Sequence, residues 1–304
     1  MKIGEKIWLN GRIENACDAK CSLLSHSLHY GSAFFGGMRF YPTEYGPAIF
    51  KLREHVERFC NSAQAICFPL LYSQEELCAA VIETVRHNTF TNGYIRLIGF
   101  FGDGDMELHP MDASFHVAIL LWPWAPRMGT GSIRVKISSY MRTHPQSTVI
   151  TAKLSGHYAN SILARQEARE RGYHEALLLD INGNIAEGPG ANFFAVIDNV
   201  LITPPPAYLF PGITRDSILQ IAKNLGIACR IDNIHPRQLS CCHEAFFTGT
   251  AMEIISIESI DAVSMKMAQG PMATQLKYHY SNIVQGKEMD YHHWLAFVSR
   301  TGTQ

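Results

Sequence analysis

The chain has 304 residues, with 26 Lys and Arg against 27 Asp and Glu. That near-neutral balance excludes a polyanion-binding surface and a polybasic membrane patch, so small molecules are the expected partners, with no nucleic acid and no membrane. The length exceeds the usual size of a single core, and two domains are expected.

The longest apolar run, near Phe115 to Trp124, contains His116 and Pro123 and is too short to span a bilayer, and Met1-Lys2-Ile3-Gly4-Glu5 has no signal-peptide core. The cysteines (Cys17, Cys21, Cys60, Cys67, Cys78, Cys229, Cys241, Cys242) are scattered and form no paired CxxC array. Reduced thiols and a cytoplasmic location follow as expectations. The adjacent Cys241-Cys242 suggests redox sensitivity, though inert thiols are the commoner meaning of such a pair. Cys17, Cys21, His26 and His29 have a zinc-compatible spacing, but both histidines fall in a stretch with another explanation, and no metal is expected.

Lys6 to Ile13 reads as a hairpin about an Asn10-Gly11 turn. From Ser25 to Arg39, glycines and aromatics alternate too densely for an ordinary helix, and glycines in such a place let backbone and ligand approach closely. Leu52 to Ile66 has helical spacing. Ser73 and Glu76 form a capping box that opens a second helix through Ala79, Val81, Ile82 and Val85. Strands are predicted over Tyr94 to Phe101 and Phe115 to Trp122, making residues 1–125 a small α+β domain of hairpins and two helices. Pro123 to Gly131 breaks both periodicities, which places the interdomain connection at 126–131, a long hairpin loop being the alternative.

Beyond it, 132–304 is the larger domain. Ile133 to Ser138 reads as a strand, His157 to Arg171 as a helix, and Ala176 to Asp180 as a strand entering an Asn182-Gly183 turn whose return arm carries Glu187. An apolar stretch from Phe193 to Ile202 precedes the Pro211-Gly212 turn. A helix from Thr214 to Leu225 follows, closed by Gly226, and a last helix runs from Pro271 to about Gln285.

Lys153 is the only ionic side chain between Arg142 and Arg165. Neutral, partly apolar surroundings disfavour the charged form of a lysine and free its amine as nucleophile or base. A surface lysine at a helix start is the ordinary alternative. Three turn-rich elements downstream are suited to a charged, phosphorylated ring: Glu187-Gly188-Pro189-Gly190-Ala191-Asn192, Pro211-Gly212-Ile213-Thr214-Arg215 and Gly249-Thr250-Ala251. No GxxxxGK[ST] sequence supports a nucleotide phosphate loop.

These elements, in this order, resemble the fold type IV family of pyridoxal-phosphate enzymes, and within it the branched-chain amino acid aminotransferases. The resemblance runs from Ile7-Trp8-Leu9-Asn10-Gly11 to Gly249-Thr250-Ala251-Met252-Glu253-Ile254. It implies a two-domain α+β and α/β fold like that of D-amino acid aminotransferase, with the active site at the domain interface and pyridoxal 5'-phosphate as cofactor. Lys153 would hold the cofactor aldehyde as a Schiff base and shuttle the substrate's α-proton. Glu187, the only acid between Asp180 and Asp198, would keep the pyridine nitrogen protonated; a solvated turn glutamate is its ordinary alternative. Tyr158 matches the tyrosine that bonds the cofactor's phenolic oxygen, although core tyrosines on helices are common. Ile213, Thr214, Thr250 and Arg58 match the phosphate cup, the alternative for Arg58 being a surface pair with Glu54.

The resemblance also implies a substrate pocket drawn from the Tyr30 to Arg39 stretch and Tyr94-Ile95-Arg96. Tyr30, Phe35, Gly37 and Tyr94 would wall it, Arg39 would belong to it, and Arg96 would admit the distal carboxylate of glutamate. Thr250 and Ala251 would offer amides to the α-carboxylate. Met106 and Leu108 match a loop that reaches into the neighbouring subunit's site, which implies at least a homodimer. The activity implied is ping-pong transamination of leucine, isoleucine and valine with 2-oxoglutarate. A D-amino acid aminotransferase or an aminodeoxychorismate lyase of the same fold is the near alternative, and a non-catalytic pyridoxal-phosphate protein the distant one. Two positions depart from the family pattern: Gly36 stands where a glutamate is usual, and Arg127 where a pocket tyrosine is expected.

Overall fold

The computed structural model describes residues 3–110, 112–124 and 131–298. In chain order the first elements are β1 (Lys6–Leu9), β2 (Arg12–Asn15), α1 (His26–Tyr30), β3 (Phe34–Thr43), β4 (Gly46–Phe50), α2 (Leu52–Ala65), α3 (Gln74–Arg86), β5 (Gly93–Phe101) and β6 (Phe115–Trp122). Then come β7 (Ile133–Ile137), α4 (Tyr158–Glu170), β8 (Glu175–Leu179), β9 (Ile185–Gly188), β10 (Ala191–Ile197), β11 (Val200–Thr203) and α5 (Ile213–Asn224). The last are β12 (Cys229–Ile231), β13 (Glu244–Gly249), β14 (Glu253–Ile260), β15 (Val263–Ser264), α6 (Pro271–Val284) and β16 (Leu295–Phe297).

Two compact units result. One comprises Met1–Ala125, Ala152–Gly156 and Asn282–Gln304; the other comprises Pro126–Thr151 and His157–Ser281. The division expected from sequence, 1–125 against 132–304, was contiguous, and residues 152–156 and the C-terminal segment depart from it. The physical reason is strand pairing: Leu154 bridges Phe34 at the start of β3, and β16 pairs with β4. Arg127 and all but the last residue of the expected 126–131 connection lie outside the described residues.

In the first unit the sheet runs β16-β4-β3-β5-β6-β1-β2. The β1–β2 hairpin turns at Asn10 and Gly11, whose φ of 49° and 94° are the left-handed values a two-residue hairpin turn requires. Ser73 caps α3 through the predicted box, its Oγ accepting from the Glu76 N–H while the Glu76 carboxylate accepts from the Ser73 N–H. One face of the sheet packs on α2 and α3, burying Phe34, Met38 and Phe40 of β3 with Val56, Phe59 and Leu77. Side chains alternate along a strand, so Phe35, Gly37 and Arg39 face the other way. Direct register of Gly37 with Arg96 and of Arg39 with Tyr94 puts those residues on that same second face.

Gly36 belongs to the core face. A Cβ there would lie 3.7 Å from Leu97 Cβ and 3.8 Å from Phe59 Cβ, ordinary contact with the α2 side of the sheet. Its departure from the family pattern therefore bears on packing, on the face opposite Phe35 and Gly37.

In the second unit, β10, β13, β14, β7, β8 and β9 pair in sequence and β9 returns to β10, closing a ring. Its interior is filled by Val135, Leu177, Ile185, Phe193, Phe247 and Ile257. α4 covers the outside of β8, with Ala164 and Ala168 against Ala176 and Leu178. The apolar stretch from Phe193 to Ile202 spans two strands, because Asp198 and Asn199 take φ of 50° and 60° and turn the chain back from β10 into β11.

Glu244, buried at the start of β13, terminates α6. Its two carboxylate oxygens accept from the Met272 N–H at 3.1 Å and the Ala273 N–H at 2.8 Å, neutralising the helix's first turn. Glu244→Ala should lower the free energy of unfolding by roughly 1–3 kcal/mol in urea titration, because two buried N–H groups lose their acceptor, and Glu244→Gln should lose less.

Candidate active site

Lys153 lies in a five-residue strap that joins the first unit. The Phe35 N–H donates to the Lys153 carbonyl at 3.0 Å, the Lys153 N–H to Ser62 Oγ at 2.9 Å, and the Ser155 N–H to the Ala33 carbonyl at 2.7 Å. Gly156 N–H reaches the Gly31 carbonyl at 3.0 Å, where a Cβ on Gly31 would come within 2.9 Å of Gly156 Cα. Close approach of two glycines seats the strap. The Lys153 ammonium lies 5.2 Å from the centroid of the Phe35 ring.

Arg58 stands on the same side of α2. Ser62 Oγ, which receives the Lys153 N–H, donates to the Arg58 carbonyl at 2.9 Å. The Arg58 guanidinium is 3.3 Å from His55 Nδ1, while Glu54, the surface partner Arg58 would otherwise take, bonds the Lys51 ammonium at 2.7 Å. His55 is fully buried. Burial holds its imidazole well below its ordinary pKa, reinforced by the charges of Arg58, Lys153 and Lys51. An imidazole kept neutral in this way adds no further positive charge beside Arg58 and Lys153.

The second face of the sheet forms an aromatic wall around Arg96. Its guanidinium lies 4.2 Å from the Phe35 ring centroid, 5.6 Å from Tyr94 and 5.9 Å from Trp122, and its Nε is buried without a hydrogen-bond partner among the described residues. Tyr94 stacks on Trp122 at 5.0 Å. Gly37 is required beneath it, since a Cβ there would collide with the Tyr94 hydroxyl. Arg39 is buried with its guanidinium 4.6 Å over Tyr41. Tyr30 Oη donates to the Met106 carbonyl at 2.8 Å, so this hydroxyl anchors the 102–110 loop, and Leu108 stands 82% exposed.

In the second unit, the Pro189-Gly190 turn brings Gly188 opposite Ala191 and Glu187 opposite Asn192. A register shift aims Glu187. Leu179 pairs with Ile185 and Leu178 with Glu187, so two residues on β9 span one step of β8, and Ile185 and Glu187 face opposite ways. Ile185 fills the ring interior while Glu187 lies outside it, 4% exposed. Its Oε1 accepts from Arg142 Nε at 2.5 Å and the Phe210 N–H at 3.1 Å, and its Oε2 from Asn192 Nδ2 at 2.9 Å. All three contacts are donors, which suits the ionised carboxylate. Thr248 follows Asn192 across β13, its hydroxyl fully buried with no hydrogen-bond partner among the described residues.

α5 begins at Ile213 with a glycine, Gly212, at its cap position, so the cap residue offers the first N–H groups no side-chain acceptor. Thr214 is buried in that first turn, and Thr250 and Ala251 occupy the turn between β13 and β14. Uncapped amides at a helix start are a ready anion site. Tyr158 is the first residue of α4. Within the second unit, a buried carboxylate held by donors and a helix start with glycine at its cap suit a ligand that is cationic at one point and anionic at another. Sequence reasoning missed Ser62, His55, Arg142 and the side-chain role of Asn192. The two-residue turn would have found Asn192, since it places residues five apart directly across a hairpin. Arg142 sits in an irregular segment that carries no such signal.

The chain matches the family profile described as amino-transferase class IV over residues 33–260. It is 37% identical to the branched-chain-amino-acid aminotransferase of Escherichia coli (strain K12) across 98% of this chain and 99% of that protein. The crystal structure of a branched-chain aminotransferase from Thermoproteus uzoniensis with norvaline is similar at a TM-score of 0.94 and 38% identity, covering 97% of this chain and 100% of that one. The branched-chain amino acid aminotransferase of Thermobaculum terrenum in its PLP-bound holo form is similar at a TM-score of 0.93 and 31% identity, over 98% of this chain and 100% of that one.

The buried His55 makes a signed prediction. Its folded pKa is depressed, so below about pH 6.5 the unfolded chain binds a proton that the folded chain does not. Stability of the apoprotein should therefore fall as pH drops from 7 to 5. His55→Gln should flatten that fall by up to about 1.4 kcal/mol per pH unit, measured by urea unfolding across the range.

Proposed function

Because the chain belongs to the class IV amino-transferases, we propose that it is a branched-chain amino acid aminotransferase, moving the amino group of leucine, isoleucine or valine onto 2-oxoglutarate to give a 2-oxo acid and L-glutamate. The observation that carries this reading is the Phe35 ring, which lies under both the Lys153 amine and the Arg96 guanidinium. An apolar ring flanked by a reactive amine and a cation serves an aliphatic side chain in one half-reaction and a distal carboxylate in the other.

The cofactor is pyridoxal 5'-phosphate, which when bound supplies an aldehyde for the amino group and a ring that draws electrons from the bond being broken. Lys153 Nζ would hold the cofactor and would move the proton at the substrate's α-carbon. Glu187 holds the proton at the ring nitrogen. Arg58, Ile213, Thr214 and Thr250 bind the phosphate, and the Tyr158 hydroxyl bonds the phenolic oxygen. Thr250 and Ala251 amides take the α-carboxylate, Arg96 the distal carboxylate, and Tyr30, Phe35, Gly37, Arg39 and Tyr94 shape the pocket.

The homodimer belongs to the same proposal. Leu23, Leu24, Leu28 and Leu108 are exposed apolar side chains, and the Tyr30–Met106 and His26–Glu107 hydrogen bonds hold their two segments together. An apolar patch of this kind on an otherwise neutral chain favours burial against a second copy. Among the described residues no helix is long and apolar enough to cross a membrane. The eight cysteines are free thiols, which favours the reducing cytoplasm as the enzyme's compartment.

Two measurements test this assignment. Adding L-leucine to the holoprotein without an oxo acid should convert its visible spectrum to that of the pyridoxamine form, and 2-oxoglutarate should reverse it. Lys153→Ala should abolish the conversion. A spectrum that answers D-alanine instead would reassign the enzyme to the D-amino acid aminotransferases. Sedimentation should find a dimer, and Leu28→Asp with Leu108→Asp should shift it towards monomer; a monomeric parent protein would remove the dimer from the proposal.

A further inference from the structure

We propose that Arg142 and Asn192 are positioning residues that hold the Glu187 carboxylate in place at the cofactor's ring nitrogen, and that Asn192 also couples this acid to the phosphate-binding turn ahead of α5. The inference rests on the reading of Glu187 given under the proposed function.

Arg142 approaches Glu187 from a segment with no secondary structure of its own, yet its backbone is fixed, since its N–H donates to the Leu179 carbonyl at 2.8 Å. Leu179 neighbours Leu178, the residue paired with Glu187, so backbone and side chain of Arg142 grip adjacent points of the β8–β9 bulge. Its Nε meets Glu187 Oε1 at 2.5 Å with both side chains almost fully buried. A buried carboxylate that loses such a partner must either take up a proton or move, and either change removes the counter-charge a protonated pyridine requires. Arg215, also buried, adds a second positive charge that bears on Glu187 from α5.

Asn192 does something Arg142 does not. Its Nδ2 donates both to Glu187 Oε2 at 2.9 Å and to the Phe210 carbonyl at 3.0 Å, while the Phe210 N–H donates to Glu187 Oε1 at 3.1 Å. Its Oδ1 fills the space above Gly212, where an added Cβ would collide with it. One amide therefore spans from the ring-nitrogen acid to the residue that caps α5, whose first turn holds Ile213 and Thr214. Acid and anion site share a strut, so their separation is set before any ligand arrives.

The test uses enzyme reconstituted with pyridoxal 5'-phosphate labelled with 15N in the ring, and apoprotein titrated with inorganic phosphate. In Arg142→Gln the ring-nitrogen resonance should move towards that of unprotonated pyridine, and kcat for L-leucine should fall about ten- to a hundredfold with KM little changed. Arg142→Lys, which keeps a charge, should recover part of both and serves if the glutamine variant does not fold. Asn192→Ala should shift the same resonance and also weaken phosphate binding by about tenfold, whereas Arg142→Gln should leave phosphate binding as it was. An unmoved resonance in the Arg142 variants would reduce the pair to a structural ion pair, and unaltered phosphate affinity in Asn192→Ala would remove the coupling. Glu187→Gln separates the levels: if it transaminates normally, the assignment of Glu187 fails, and if it is impaired while Arg142→Gln is not, only the positioning role fails.

Discussion

The peptide around Lys153 is held at its N–H by Ser62 and at its C=O by the Phe35 amide, and the first unit is arranged around that grip. A long side chain cannot be placed reproducibly unless its backbone is. Here the strap joins the start of β3 through the Leu154–Phe34 bridge and its flanking hydrogen bonds, so Lys153 is anchored to a sheet while projecting from a loop. Ser62 extends the constraint to α2, because the hydroxyl that receives the Lys153 amide also bonds the Arg58 carbonyl. Amine, guanidinium and the aromatic wall of Phe35 and Tyr94 are thus referenced to one rigid frame.

The second unit solves an electrostatic problem with a topological device. Burying a carboxylate is costly unless it is paired and hydrogen-bonded. Closing the ring through a two-residue turn puts Asn192 beside Glu187, and the bulge on β9 turns Glu187 out of a packed apolar interior. Without the bulge, alternation from Ile185 would direct a charge into the side chains that fill the ring. The chain tolerates a local violation of strand periodicity because the acid needs the outer face.

Much of this was legible from residue pattern. The capping box at Ser73, the Asn10-Gly11 hairpin and the Asn182-Gly183 turn are local chemistry, and the elements they bound fall within a few residues of expectation. The candidate residues carried by short motifs were picked out for the same reason: Glu187, Thr214 and Thr250 each lie in or beside a turn that only a few residue types can form. What escaped was non-local. β16 is three residues long and owes its existence to β4, far away in sequence, and β12 is short and exposed. Arg142 and His55 gained their roles from partners brought by tertiary packing, to which hydrophobic periodicity is blind. Gly36 shows the converse: a departure from the family pattern suggested an altered pocket, and strand alternation turns it towards α2.

The strap and β16 also govern the order in which a ribosome can deliver a finished protein. Residues 1–125 emerge without the Leu154 bridge and without the strand that pairs β4, so the first sheet stays open at its β4 edge until β16 has been made. The ring of the second unit likewise waits for β14, synthesised long after Glu187. The first sheet is therefore completed only after β16 has been made, and the ring of the second unit only after β14. Completion of the two sheets is in this sense a late event, with α2 and α3 covering the early core while the exposed strand edge of β4 waits for its partner.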